Sequence, residues 1–357
     1  MNYYSYKYFN FIFITITFCL LLFVFNIGIL NFLNNPYDTS AADQRSENAV
    51  DLKGLSVQSI VAAKLSHGAT FEYAYDVAIF GNSRAIMLGA RHIETIRGRT
   101  FFNFSVGGTA FQQSVRSLEY LADHGKAPRI AVISYDNAEL QFVGIPYWPQ
   151  PVFEIVSFFN DVVTLLREDY GTFYQRVRDS VKVAEYFFGN AWHNVELLWN
   201  FERLLNKIAH FFALRCGEDR GPFISLRDGS RTQEISSIPV NFAKFRPQTS
   251  APRAHNRFFL IGLRRLARLA EAYGTRIIIY ESPLAPPLAR KYGSEPTKPA
   301  LETRHWVSLG CADSPLECHP APIFETVNGQ YWPDCCHAPA DRLGAFISDI
   351  IAKPSEG

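Results

Sequence analysis

Residues 77–84 read VAIFGNSR, which places four apolar residues directly before a glycine and three polar residues. A short apolar run that stops at a glycine is typical of a buried β-strand. Two similar runs follow at residues 100–104 and 130–135, and a helical pattern that closes at Gly125 lies between them. Strand, helix and strand in this order predict a parallel sheet with right-handed crossover connections.

The α/β pattern resumes in the last third of the chain. A helical pattern at residues 256–273 is followed by Gly274, a residue type favoured just beyond a helix C-terminus. An apolar strand pattern covers residues 276–280, and a last helix is predicted to begin at Pro339. The sequence therefore predicts an α/β domain over residues 38–353.

Other segments do not continue this pattern. Residues 34–70 carry turn-forming residues and are predicted to be a linker and lead-in. Two stripes of apolar residues at helical spacing predict a helical insertion or cap at residues 151–216. Residues 217–255 are polar and are predicted to be loops, with a turn at Asp228-Gly229. Residues 284–330 are predicted to be irregular.

The first 37 residues differ from the rest of the chain. Residues 9–33 form an uncharged, apolar run, which is long enough to span a bilayer. Lys7 precedes this run and acidic residues follow it, so the positive-inside rule places the N-terminus in the cytoplasm. We therefore expect residues 1–37 to be a cytoplasmic tip and a single transmembrane helix of the inner membrane, with residues 38–353 in the periplasm. A cleaved signal peptide is the alternative.

Composition and charge exclude two broad classes of protein. Hydrophobic residues make up 48% of the chain and charged residues 19%, which indicates a large core and excludes a wholly disordered protein. Lys and Arg together number 35, against 34 acidic residues. Because binding to phosphates needs a basic surface, a nucleic-acid partner is not expected. The motifs require no cofactor, and none is expected.

The chain has six cysteines, of which Cys19 lies in the predicted anchor and four lie between residues 311 and 336. In an oxidising compartment this clustering predicts one or two local disulfides. The alternative is a zinc site formed by these cysteines with His319 and His337, since thiolates and imidazoles bind zinc. Their spacings match no standard zinc motif, so no metal is predicted.

Polar residues follow each of the first three predicted strands. Ser83 and Arg84 follow the first strand, Asn103 and the Gly107-Gly108 pair follow the second, and Asn137 follows the third. Ligand sites of parallel α/β sheets form beyond the carboxyl ends of the strands. We therefore expect these residues to share one substrate-binding site.

These residues can be assembled into a serine-based acyl-transfer mechanism. Ser83, at a strand-to-helix turn, would be the nucleophile, and a serine needs a base to become reactive. His337 is the candidate base, and Asp334 could hold its imidazole in the correct orientation. An amide of the Gly107-Gly108 pair and the Asn137 side chain would donate hydrogen bonds to the oxyanion.

Each candidate also has a structural interpretation. Ser83 could only cap the helix that follows it, and Asp334 could cap a turn. Asn103 begins the glycosylation sequon Asn-Phe-Ser, but it follows a buried strand, so a structural or site-lining role is preferred. The Gly107-Gly108 pair forms a turn in either case.

Four blocks of the sequence resemble the SGNH (GDSL-type) hydrolase superfamily. They are GNSR at residues 81–84 after a strand, Gly107 in the next block, Asn137 after the third strand, and Asp334-x-x-His337 before the last helix. The closer likeness is to the membrane-anchored, extracytoplasmic branch. That branch includes the alginate O-acetylation proteins and the D-alanyl transfer protein of teichoic acid synthesis.

This resemblance implies a flavodoxin-like α/β fold, a triad of Ser83, His337 and Asp334, and acyl-ester chemistry. The chain has Asn82 where the family usually has aspartate, and Tyr135 where it usually has glycine. The implied function is O-acetyl transfer to an envelope polysaccharide, beside a membrane-bound acyl exporter. The alternatives are an acetyl esterase of the same fold and a non-catalytic scaffold of a polysaccharide modification or export complex.

Overall fold

The structure is a computed structural model of the chain. Apart from isolated positions such as Tyr37, it describes residues 49–50, 57–109, 111–135, 223–233, 253–286, 288–290, 298–324 and 337–353. In chain order, the elements are β1 (Ala49–Val50), α1 (Val57–Thr70), β2 (Val77–Phe80), β3 (Phe101–Asn103), α2 (Phe111–Asp123), β4 (Ile130–Tyr135), β5 (Phe223–Leu226), β6 (Arg231–Gln233), α3 (Arg253–Tyr273), β7 (Arg276–Glu281), α4 (Lys298–Cys311), β8 (Leu316–His319) and α5 (Ala340–Ala352). Two short 3₁₀ helices, Ala90–His92 and Glu94–Ile96, lie between β2 and β3.

Five of these strands form one sheet, in which every neighbouring pair is parallel. The order of the strands across the sheet is β3-β2-β4-β7-β8. When these five strands are numbered along the chain, the order becomes 2-1-3-4-5, so the strand order reverses between β2 and β4. Val77 of β2 pairs with Phe101 of β3 and with Ile130 of β4. This register brings the loops that leave these strands to one edge of the sheet.

Both faces of the sheet are covered, because alternate residues of a strand point to opposite faces. Ala78 packs in a buried apolar cluster with residues of α1, α2 and α3. Its neighbour Val77 packs in a second buried cluster, with residues of α5 and the 3₁₀ segment. Strands that are buried on both faces need continuous apolar sequences, which explains the apolar run at residues 77–80.

The predicted α/β fold with a parallel sheet is confirmed. β2 and β4 span the predicted residues, and the bounds of β3 and β7 differ from the predictions by one residue. The last helix begins at Ala340, directly after Pro339. Gly274 has a φ angle of 64° just beyond α3, the left-handed conformation in which glycine ends helices.

Three stretches that were predicted to be irregular contain regular structure. α1 lies in the predicted linker at residues 34–70, and the β5–β6 hairpin lies in the predicted loops at residues 217–255. α4 and β8 lie in the stretch at residues 284–330. These elements lack a simple apolar pattern: α1 buries Lys64, and α4 leaves Leu301 and Leu309 exposed. Tertiary packing, rather than local periodicity, determines their conformation.

Among the described residues, no helix combines the length and the apolar composition that crossing a bilayer requires. Nearly all of the predicted anchor at residues 9–33 and of the predicted insertion at residues 151–216 lies outside the described residues.

A disulfide joins Cys311, at the end of α4, to Cys318 in β8. It is a local bond within the cysteine cluster, as the sequence predicted. Zinc binds thiolates, so these two bonded sulfurs are not available to the alternative zinc site.

Replacing both Cys311 and Cys318 with serine is expected to lower the free energy of unfolding by about 2–3 kcal/mol, because the bond restricts the unfolded chain. Thermal unfolding of the full chain measures this loss. Cys311→Ser and Cys318→Ser alone should each cost as much as the pair, since either one removes the bond. A double variant as stable as the wild type would contradict the assignment.

Candidate functional site

The candidate site lies at the edge of the sheet where the strand order reverses. Ser83 follows β2, and β4 ends on the other side of the reversal. In open parallel sheets, ligands bind in the crevice beyond the carboxyl ends of the strands at such a reversal. The fold therefore places Ser83 where a ligand-binding residue is expected.

A hydrogen-bonded turn follows β2 in place of the predicted α-helix. The carbonyl of Asn82 accepts hydrogen bonds from the amides of Ala85 and Ile86, both at 3.1 Å. The Asn82 side-chain oxygen accepts a further bond from the Arg84 amide at 3.0 Å. Asn82 thus provides the cap that the sequence also allowed for Ser83. The predicted strand-to-helix turn is corrected to an isolated turn, which we call the Ser83 turn (residues 82–88).

Gly107 lies beside Ser83. A methyl group built on Gly107 would be 3.6 Å from the Ser83 Cβ atom, an ordinary van der Waals contact. The backbone after β3 reaches this position because the Phe104 amide bonds to a β2 carbonyl at 2.7 Å, and the Val106 amide bonds to the Gly81 carbonyl at 3.0 Å. The structure therefore brings together two predicted site residues from different loops. We call residues 104–109 the Gly107 loop.

The backbone amides of Ser83 and Gly107 make no hydrogen bond with any other residue that the structure describes. Both residues are half-buried, whereas Gly108 is exposed and has a φ angle of 80°. Neighbouring N–H donors in a partly enclosed position can stabilise a developing oxyanion. These two amides are therefore candidate oxyanion donors.

Asn103 is fully buried, and its side chain is bound to the protein at both polar atoms. Its amide nitrogen donates to the carbonyls of Ala85 and Leu88, at 2.9 and 2.7 Å. Its oxygen accepts a bond from the Ser105 amide at 2.9 Å. These bonds connect the Ser83 turn to the Gly107 loop. They also occupy the Ala85 and Leu88 carbonyls, which would accept backbone amides if the turn continued as an α-helix. Of the two roles preferred from the sequence, Asn103 has the structural one, and its burial blocks the sequon in the folded chain.

The β5–β6 hairpin supports the same region. Its turn contains Asp228-Gly229, as predicted, and Gly229 has a φ angle of 79°. The Asp228 side chain accepts a bond from the Ala90 amide at 3.0 Å, and its carbonyl accepts one from the Asn103 amide at 2.7 Å. The Arg231 amide donates to a carbonyl of the Ser83 turn at 2.8 Å. Sequence reasoning missed this support, because the contacts join segments that are far apart in the chain.

Of the four remaining predicted site residues, the structure describes two, Arg84 and His337. Arg84 is buried within the Ser83 turn. His337 is half-buried, and its neighbour Ala338 packs in the same apolar cluster as Ala85. Two predicted site residues lie outside the described residues: Asp334 and Asn137.

An ion pair that the sequence analysis did not single out lies at the same edge of the sheet. Glu281, the last residue of β7, is buried and accepts two hydrogen bonds from Arg304, at 3.0 and 3.1 Å. Tyr135, the last residue of β4, lies opposite Glu281. Burial, and then the nearby Glu281 charge, raises the pKa of the Tyr135 hydroxyl, which stays neutral. The sequence signal that could have identified Glu281 is a charged residue directly after an apolar strand pattern.

Replacing Asn103 with leucine is expected to lower the free energy of unfolding by about 2–4 kcal/mol. The buried Leu88 carbonyl and Ser105 amide lose their partner, and the Ala85 carbonyl keeps only its bond from the Leu88 amide. Gln112→Leu is the matched control, since Gln112 is equally buried but its side-chain amide has no hydrogen-bond partner within the described part of the chain. That change should be neutral or stabilising. Chemical denaturation measures the free energy of unfolding of both variants. An equal loss of stability in both would contradict the structural role of the Asn103 hydrogen bonds.

Comparison of the chain with protein-family models, with curated proteins and with solved structures finds no match in any of the three.

Proposed function

We propose that this chain is a membrane-anchored serine acyltransferase of the SGNH type, which acetylates a cell-envelope polysaccharide through an acyl-Ser83 intermediate. The observation that carries the proposal is the proximity of Ser83 and Gly107 at the reversal of strand order. Acyl transfer by a serine needs a nucleophile, an oxyanion donor and a base, and His337 is the candidate base.

The strand order supports an SGNH-like fold. The order 2-1-3-4-5 is that of flavodoxin-like sheets, in which ligands bind between the first and third strands. The first two blocks that resemble the superfamily follow β2 and β3, and the last block precedes α5. The resemblance and the topology therefore agree in chain order.

The proposed mechanism has two acyl-transfer steps. The Ser83 hydroxyl attacks the carbonyl of a donor ester, and His337, oriented by Asp334, takes the proton and passes it to the leaving alcohol. The amides of Ser83 and Gly107 bind the oxyanion. A sugar hydroxyl then gives its proton to His337 and attacks the acyl-serine, the bond between the acyl group and the Ser83 oxygen breaks, and His337 returns the proton to that oxygen. If water replaces the sugar, the same residues form an esterase.

Two features support an extracytoplasmic location. The Cys311–Cys318 disulfide is of a kind that persists in oxidising compartments. The apolar run at residues 9–33, with Lys7 before it, would anchor the chain with its main domain outside. An acyl exporter in the same membrane would then deliver the donor to this side.

The full chain, purified in detergent, tests the proposal with an activated acetyl ester as the donor. The acceptor probe is alginate from which the O-acetyl groups have been removed. Acetylated polysaccharide that forms with wild type and not with Ser83→Ala supports the transferase. Free acetate alone, with the same dependence on Ser83, indicates the esterase. Neither product from a folded wild-type chain would contradict both and favour the scaffold.

A further inference from the structure

Lys64, on α1, is a buried cation that the proposed mechanism does not use. Its side chain is only 1% exposed. Its nitrogen lies 2.8, 2.7 and 2.6 Å from the carbonyl oxygens of Asn103, Ser105 and Gly229. Three carbonyl acceptors match the three N–H donors of an ammonium group. A neutral amine has only two donors and would turn its lone pair towards one of these oxygens.

The surroundings make this charge unfavourable to hold. Burial lowers the pKa of Lys64 well below its ordinary value, and Arg231 lowers it further, whereas Asp228 raises it. Tyr37 lies near the same Arg231 and Asp228 charges, and burial raises the pKa of its hydroxyl, which therefore carries no compensating charge. Buried charges are weak contributors to net stability. Net stability therefore does not account for this charge, and the groups that the ammonium holds in place do.

Two of the carbonyls bound by Lys64 fix the Gly107 loop. The peptide unit between Ser105 and Val106 is held at both ends, with its carbonyl on Lys64 and its amide on the Gly81 carbonyl. The peptide unit between Asn103 and Phe104 is held in the same way. Its carbonyl accepts a bond from Lys64, and its amide donates to a β2 carbonyl. Lys64 thus connects the backbone next to Gly107 to the backbone that leads into Ser83.

We propose that Lys64 is a positioning residue, whose ammonium group holds the Gly107 amide at the separation from Ser83 that oxyanion binding needs. This inference rests on the proposed function of Ser83. The third bond, to Gly229, ties the β5–β6 hairpin to the same loop. Without the ammonium group, three buried carbonyls lose their donors, and the loop must shift to find others.

Two substitutions at Lys64 distinguish the effect of its hydrogen-bond donors from the effect of its side-chain size. Lys64→Met keeps a long apolar side chain and removes all three donors, whereas Lys64→Gln restores up to two. Leu266→Ala, a cavity at a fully buried position of α3, is the control for lost stability alone. All variants are made in the full chain and assayed at a temperature at which each is folded.

Turnover of an activated acetyl ester is the first readout. Lys64→Met is expected to lower kcat by about 10–100-fold and to leave KM within about twofold, because the displaced amide acts on the transition state. Lys64→Gln should lie between Lys64→Met and the wild type. Leu266→Ala should keep the wild-type kcat. Wild-type kcat in Lys64→Met, or a matching loss in Leu266→Ala, would overturn the proposal.

Hydrogen exchange of the full chain is the second readout, and it does not depend on turnover. The amides of Phe104 and Val106 are expected to exchange about tenfold faster in Lys64→Met than in Leu266→Ala. Equal exchange in these two variants would overturn the proposal. If the wild type does not turn over the ester, the proposed function of Ser83 fails, and exchange alone decides whether Lys64 holds the loop.

Discussion

Replacing Gly81 with alanine is expected to lower the free energy of unfolding by about 1–3 kcal/mol, because the site has no room for a methyl group. That methyl group would overlap the Ser134 hydroxyl oxygen and lie 2.9 Å from the Ala85 Cβ atom. Gly81 joins β2 to the Ser83 turn, so relief of the overlap displaces the turn. A displacement of about 1 Å lowers a reaction rate by about 10²-fold, and we expect a loss of this size in acyl transfer.

The double variant Gly81→Ala/Ser134→Ala isolates the cause, since it removes the hydroxyl that the new methyl group meets. It should recover part of the stability that Gly81→Ala loses. Denaturant unfolding of the wild type, the two single variants and the double variant forms a double-mutant cycle. Strictly additive effects would contradict the close approach of Gly81 to Ser134.

Replacing Ser83 with alanine is expected to reduce acyl transfer by at least about 10³-fold, because only the oxyanion donors and substrate binding remain. The free energy of unfolding should stay within about 0.5 kcal/mol of the wild-type value. The reason is that Asn82, and not the Ser83 hydroxyl, caps the Ser83 turn. Steady-state kinetics and denaturant unfolding of the full chain measure the two effects separately.

Ser308, an exposed serine on α4, provides the matched control for Ser83. Ser308→Ala should retain wild-type turnover and stability. Ser83→Ala with wild-type turnover would show that the nucleophile lies elsewhere. A chain with no turnover, whose role in the cell survives Ser83→Ala, would favour the scaffold alternative.

The central strands could be predicted from the sequence because each is a short apolar run. β2 and β4 are buried on both faces, and such strands read as continuous apolar segments. The proximity of Ser83 and Gly107 was also predictable, since both follow neighbouring parallel strands that end at one edge. Turn chemistry identified Asp228-Gly229 and Gly274 correctly, because both positions use the left-handed conformation that glycine adopts readily.

The supports of the site could not be predicted, because they depend on contacts between distant segments. Lys64 binds a carbonyl 165 residues further along the chain, and nothing in the α1 sequence distinguishes it from a surface lysine. The Ser83 turn was predicted as a helix because local sequence does not reveal that Asn103 occupies the carbonyls of Ala85 and Leu88. These polar contacts are specified by the tertiary fold.

The most direct test of Ser83 as the nucleophile is intact-mass spectrometry of the full chain after brief exposure to an activated acetyl ester, followed by peptide mapping. We expect a mass increase of one acetyl group, located on Ser83 and absent from Ser83→Ala. An adduct that persists in Ser83→Ala, or a folded wild-type chain that takes up no acetyl group, would show that Ser83 is not the nucleophile.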